Sequence, residues 1–215
     1  MKAGILFDLD GTLLDTLEDL KDAVNIALAR FGYPGRTLEE VRRFVGNGAE
    51  RLMVLAVPEG EDPAPVLAAF REVYQAGCRV KTAPYPGVVR ALETLKEKYP
   101  VAIVSNKPDS AVKALCDDYF PGIPAVGERE GCPRKPAPDM VRRAMADIGV
   151  ETCVYVGDSE VDVETAKNAC VPCLTVLWGF RDRDELEKAG ATHFCDDPAE
   201  LAQLAETMLD GIMKM

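Results

Sequence analysis

The stretch ILFDLDGTLLDT, residues 5–16, runs from an apolar, β-prone segment straight into Asp8 and Asp10, then Gly11 and Thr12, then Asp15. A buried strand does not ordinarily end in neighbouring carboxylates, because an unpaired buried charge is costly and like charges repel. The arrangement makes sense if the acids stand at the carboxyl edge of a parallel sheet, where open α/β sheets bind their ligands, and if something positive meets them there.

Outward from this stretch, short apolar runs recur at Val101–Val104, Ile123–Val126, Cys153–Val156, Cys173–Leu177 and His193–Cys195. Stretches with helical spacing separate most of them: Val88, Leu92 and Leu95; Val112, Leu115 and Tyr119; Met140 to Ile148. Alternating strands and helices predict an α/β fold, a Rossmann-like parallel sheet in three α/β/α layers joined by right-handed crossovers. The alternation breaks after residue 16. Leu17, Leu20, Val24, Ala27 and Phe31 recur at helical spacing up to Gly32, Thr37 and Glu40 fit a capping box, and a further helix is expected from Pro65 to Tyr74. These features predict a small all-helical domain, 17–82, inserted into a core of 1–16 and 83–215, with Pro84 and Pro86 marking the return.

The chain has 215 residues, of which 47% are hydrophobic and 28% charged, ordinary globular usage with enough length for a sizeable core. A formal net charge of -11 argues against a nucleic-acid partner, which needs a basic face. No apolar stretch approaches a membrane span, and Met1-Lys2 leads into the first strand without signal-peptide features. The expectation is a cytoplasmic monomer or homodimer that binds neither membrane nor nucleic acid. Cys170 and Cys173 have the spacing of a redox or metal pair but stand apart from other ligands, and with His193 the only histidine they read as structural. His193 is far from every motif and is assigned no catalytic role.

Two further strands end as the first does. Val101–Val104 leads into Ser105-Asn106-Lys107, and Cys153–Val156 leads into Gly157-Asp158-Ser-Glu-Val-Asp162. Between them Arg134 and Lys135 stand beside Pro136 and Pro138. Carboxylates from two strands form an oxygen cage suited to a hard cation, most simply Mg2+, which binds through few carboxylates plus a substrate phosphate. A cation and Lys135 together would neutralise acids that otherwise repel and offset the charge of a small phosphorylated metabolite.

Taken in order, Asp8-Leu-Asp10-Gly-Thr12, Ser105-Asn106, Lys135 and Gly157-Asp158-Ser-Glu-Val-Asp162 resemble the four motifs of the haloacid dehalogenase superfamily across essentially the whole chain. The resemblance implies that Asp8 attacks phosphorus to give an aspartyl-phosphate, while Asp10 protonates the leaving oxygen and later activates water. It also implies that Ser105 holds a phosphate oxygen, Lys135 steadies the nucleophile, and Asp8, Asp158 and the Asp10 carbonyl bind Mg2+ with Asp162 behind them. Gly11, Thr12 and Asn106 are expected to line the phosphate site. An acid two residues after the nucleophile matches the phosphatases and phosphomutases of the superfamily rather than its dehalogenases, whose leaving group needs no proton.

The helical insertion resembles the cap of the subfamily that includes phosphoglycolate phosphatase, β-phosphoglucomutase and the phosphonatase. Within it Val45-Gly46-Asn47-Gly48-Ala49 is similar to a stretch of bacterial phosphoglycolate phosphatases, as are Pro84–Gly87 and Trp178-Gly179-Phe180. Gly46, Asn47 and Gly48 would offer backbone amides, and Arg51 a positive charge, to a substrate carboxylate. The alternatives are a pyrophosphatase, a broad-specificity or nucleotide phosphatase, a β-phosphoglucomutase-like mutase, and a catalytically silent binding protein.

Overall fold

The computed structural model describes residues 2–214. The chain forms two compact units, 1–14 with 84–215, and 15–83. After β1 (Ala3–Phe7) and β2 (Leu14–Asp15) the chain enters the smaller unit, which holds α1 (Leu17–Arg30), α2 (Leu38–Phe44), α3 (Gly48–Ala56) and α4 (Pro63–Gly77). It returns through β3 (Ala83–Pro84) to α5 (Val88–Lys96), β4 (Val101–Pro108), α6 (Asp109–Tyr119), β5 (Ala125–Glu128) and α7 (Asp139–Asp147). The remainder is β6 (Thr152–Gly157), α8 (Glu160–Ala169), β7 (Cys173–Val176), α9 (Arg183–Ala189), β8 (Phe194–Cys195) and α10 (Leu201–Met213).

In the larger unit the six main strands lie in the order β5-β4-β1-β6-β7-β8, all parallel. β1 reads as an unbroken apolar run because both its faces are covered. Ile5 and Phe7 pack on one side with Leu92 and Leu95 of α5, Leu115 of α6 and Leu201 and Leu209 of α10. Leu6 packs on the other with Met140, Val141 and Ala144 of α7 and Ala166 of α8. This is the three-layer α/β/α arrangement.

Register decides what reaches the sheet edge. Phe7 lies opposite Ile103 of β4 on one side and Val156 of β6 on the other. Asp8, Ser105 and Asp158 follow within two residues of these positions, so three strands deliver polar groups to the same carboxyl edge, where the strand order reverses direction at β1.

The smaller unit has its own core, including Leu20, Val24 and Leu28 of α1, Val41 of α2, Leu52 and Met53 of α3, and Val66 and Phe70 of α4. Thr37 and Glu40 form the expected capping box. Pro63 rather than Pro65 opens α4, because Asp62 accepts the Ala64 amide at 2.9 Å and sets the start earlier. Phe31 departs from the apolar face assigned to it. It lies just beyond α1, is 42% exposed, and stacks on Tyr33. In the larger unit β4 runs on to Pro108 through buried but polar residues that an apolar criterion stops short of, and β5 is displaced toward Glu128.

Candidate active site

Asp8 leaves β1 with its backbone amide donating to the Val156 carbonyl at 2.8 Å, which continues the ladder and fixes the side chain at the edge. Its Oδ1 accepts the Leu9 amide at 2.7 Å and lies 2.9 Å from the Lys135 ammonium. Lys135 is only 2% exposed, and its ammonium also meets Asp162 Oδ1 at 2.8 Å and donates to the Tyr155 hydroxyl at 3.0 Å. A lysine in a loop is held this firmly because Asn106 clamps its main chain: the Asn106 amide donates to the Lys135 carbonyl at 2.9 Å and its oxygen accepts the Lys135 amide at 2.8 Å.

Asp10 stands two residues on. Its Oδ1 is 3.0 Å from the Lys107 ammonium, and its Oδ2 accepts from Ser105 Oγ at 3.5 Å. Ser105 Oγ in turn accepts the Lys107 amide at 3.2 Å. One short segment at the end of β4 therefore faces both oxygens of the Asp10 carboxylate, with the Lys107 ammonium the closer of the two contacts.

Asp158 is gripped from two sides as well. Thr12 Oγ1 donates to Oδ1 at 3.0 Å, and the Phe180 amide donates to Oδ2 at 2.7 Å. The Trp178 indole donates to the Thr12 carbonyl at 3.0 Å, which ties the segment after β7 to the segment after β1. Two glycines are required by this closeness. A Cβ on Gly11, whose φ is +82°, would lie 2.3 Å from Asp158 Oδ2, and one on Gly179 would lie 2.3 Å from Asp158 Cβ.

Asp162 is fully engaged. Besides Lys135, its Oδ1 accepts from the Tyr155 hydroxyl at 3.2 Å, while Oδ2 takes the amides of Asp158 and Ser159 and the Ser159 hydroxyl at 2.6 Å. The bond from the Ser159 amide is half of the capping box that starts α8, whose other half is the Asp162 amide donating to Ser159 Oγ at 3.4 Å.

The electrostatics are unbalanced. Burial, then the Asp162 charge, push the Asp8 carboxyl well above its ordinary value against the pull of Lys135. Burial and Asp162 push Asp158 up to about 7, against the Phe180 amide and Thr12. Burial works against the charge of Lys135, but Asp162 and Asp8 outweigh it and hold the ammonium well above its usual range. One carboxylate oxygen from each of Asp8, Asp158 and Asp162 lies within 4.8 Å of the others. An all-oxygen donor set short of positive charge fits a hard divalent cation, and because the lone pairs of Asp162 are already taken, Asp8 and Asp158 are the carboxylates left to hold it.

A family model described as haloacid dehalogenase-like hydrolase matches residues 5–176, a span that includes every residue of this edge up to β7. The chain belongs to that family. Its relatives include phosphoglycolate phosphatase 1 of Pseudomonas aeruginosa, 34% identical over 97% of this chain and 82% of the relative. The phosphoglycolate phosphatase of Rhodobacter capsulatus is 36% identical over 90% of this chain and 93% of its own. A solved structure from Lactobacillus delbrueckii subsp. bulgaricus, provisionally named a phosphoglycolate phosphatase, superposes with a TM-score of 0.88 at 36% identity, covering 93% of this chain and 96% of that one. This haloacid dehalogenase-like chain is an enzyme, a phosphatase, and its substrate is a small phosphorylated compound. Among the described residues no helix is long and apolar enough to cross a membrane.

Gly46, Asn47, Gly48 and Arg51 lie in the smaller unit. Gly46 and Gly48 have φ of +125° and +80°, so the turn between α2 and α3 takes a backbone path that favours glycine. Arg51 is exposed in the first turns of α3. Cys170 and Cys173 are free thiols, Cys170 exposed at the C-cap of α8. Sequence reasoning missed Lys107, Tyr155 and Gly179. The signal for Lys107 was its place directly after Ser105-Asn106 at a strand end, and for Gly179 its place between the aromatic residues Trp178 and Phe180.

Proposed function

We propose that this chain is a Mg2+-dependent phosphoglycolate phosphatase working through an aspartyl-phosphate on Asp8. The observation that carries the chemistry is the division of labour at the sheet edge. Asp8 Oδ1 is held by the Leu9 amide and the Lys135 ammonium, whereas Asp10, two residues on, meets the Lys107 ammonium and Ser105 Oγ at the end of β4. Neighbouring carboxylates in different settings suit the two tasks of nucleophile and acid–base group.

Asp8 forms a bond to phosphorus as the bond to the leaving oxygen breaks, and Asp10 gives that oxygen its proton. Water then attacks the phosphoryl group, the Asp8–phosphorus bond breaks, and Asp10 takes the proton of the water. Lys135 stays beside Asp8 throughout, positioned by Asn106 and backed by Asp162 and Tyr155, and offsets charge on the transferring group. Ser105, with Gly11 and Thr12, borders the phosphate position. Asp8, Asp158 and the Asp10 carbonyl would hold Mg2+, which when bound supplies positive charge against the phosphate oxygens.

What supports phosphoglycolate as the substrate is the shared name of the full-length relatives and the glycine-led turn at Gly46–Gly48 with Arg51 one turn beyond. Phosphate release from 2-phosphoglycolate, pyrophosphate, nucleoside monophosphates and hexose phosphates tests it. The expected result is a specificity constant highest for 2-phosphoglycolate and activity lost in excess EDTA. Equal, slow hydrolysis across the panel would keep the phosphatase and remove the substrate.

A further inference from the structure

Resting on the reading of Asp10 as the acid–base group, we propose that Lys107 is a positioning residue for the reaction: it holds the Asp10 carboxylate in its working orientation and stabilises the negative charge left on it when its proton goes to the leaving oxygen. Lysines are seldom buried without a partner or a task. Lys107 is 7% exposed, and its side chain is 4% exposed, yet its ammonium reaches Asp10 Oδ1 at 3.0 Å. It is a different cation from Lys135, which serves Asp8 and Asp162.

The geometry gives Lys107 two connections to the same acid. Its ammonium meets Oδ1, and its backbone amide donates to Ser105 Oγ, which itself donates to Oδ2. A carboxylate held by one contact can pivot about its Cβ–Cγ bond; here the 3.0 Å contact at Oδ1 is backed at Oδ2 by a longer one of 3.5 Å from Ser105 Oγ, which limits that pivot. The segment bearing these groups is itself fixed, since Asn106 between them is bound to the main chain of Lys135. The same strand end therefore sets the positions of both the acid–base group and the lysine beside the nucleophile.

In the first transfer the Asp8–phosphorus bond forms, the bond from phosphorus to the leaving oxygen breaks, and the proton passes from Asp10 to that oxygen. The carboxylate so formed appears 3.0 Å from the Lys107 ammonium. In the second transfer Asp10 receives a proton from water and the charge is discharged again. The help of Lys107 should therefore scale with how much the leaving oxygen needs a proton.

Single-turnover phosphoryl transfer to the enzyme, with Mg2+ present, separates this role from a merely structural one. Two substrates are compared: p-nitrophenyl phosphate, whose leaving group needs little proton assistance, and the alkyl ester glycerol 3-phosphate. Lys107→Met is expected to slow transfer from the alkyl ester by on the order of tenfold or more beyond its effect on the aryl ester, with KM little changed, and Lys107→Arg to restore most of the loss. Lys107→Gln, which keeps a polar donor, covers the case in which the methionine variant does not fold. Equal losses on both substrates, or a loss confined to KM, would overturn the proposal. Asp10→Asn run alongside distinguishes the two possible failures. A strong leaving-group dependence in Asp10→Asn without one at Lys107 rejects the role of Lys107 alone, and none in Asp10→Asn rejects the acid–base reading and the proposal with it.

Discussion

The larger and the smaller unit each bury a carboxylate at a junction of the chain, and they treat it in opposite ways. In the smaller unit Asp19, 4% exposed in the first turn of α1, accepts the backbone amides of Val80, Lys81 and Thr82 and the Thr82 hydroxyl. A single carboxylate taking that many donors has replaced its hydration shell with fixed dipoles, and the outcome is a latch between the start and the end of the unit. In the larger unit Asp8, Asp158 and Asp162 crowd together with Lys135, and the carboxyls of Asp8 and Asp158 are pushed upward by burial and by their neighbours. Satisfied burial marks scaffold, and under-compensated burial marks a place prepared for a charged visitor.

The sharpest way to break this contrast is Asp8→Asn. Turnover should fall by at least about a thousandfold, read as kcat, while the metal-free protein should gain stability, since one of the crowded carboxylates is gone. A loss of stability would mean that the site is balanced after all. Lys135→Met should act the other way, removing the cation from among buried acids and costing about 3–5 kcal/mol in a urea titration of the metal-free protein. Asp19→Asn should cost about 2–3 kcal/mol because several buried donors lose a charged acceptor, whereas Thr82→Val, which removes one of them, should cost about 1 kcal/mol. Equal costs for these two would show that Asp19 is not the hub of the latch.

The smallest effect is in pH dependence. Asp158 has a folded value of about 7 against an ordinary 3.8, so the metal-free fold binds protons that the unfolded chain releases. The stability it contributes is present below the ordinary value and is lost as pH rises through about 7. The wild-type protein should therefore lose more stability than Asp158→Asn between about pH 5 and pH 7.5, by chemical denaturation in EDTA, and saturating Mg2+ should reverse the sign of the difference. Parallel profiles would remove Asp158 from the unbalanced group.

Much of the fold was legible because its signals are local. The apolar run of β1, the spacing of α5 and the Thr37 capping box each depend on residues close together in the chain. The two-residue strands β2 and β3 were not legible, being too short to show a period. Phe31 was misread because its spacing continues the apolar face of α1 one step beyond the point where the helix ends. At the site, the acids and Lys135 stood out because their order along the chain resembles the four motifs, while Tyr155 was hidden among the apolar residues of β6 and Lys107 looked like an ordinary lysine past a strand end.

By itself the sequence determined where the longer strands of the parallel sheet lie and which acids stand at their ends. Only the tertiary structure decided which charges meet. That Lys135 serves Asp8 and Asp162 while Lys107 serves Asp10, and that Gly179 must be glycine to let Asp158 in, follow from strand register and from side chains packed across the sheet edge. Coulombic and steric interactions depend on distance in space, and a sequence records only distance along the chain.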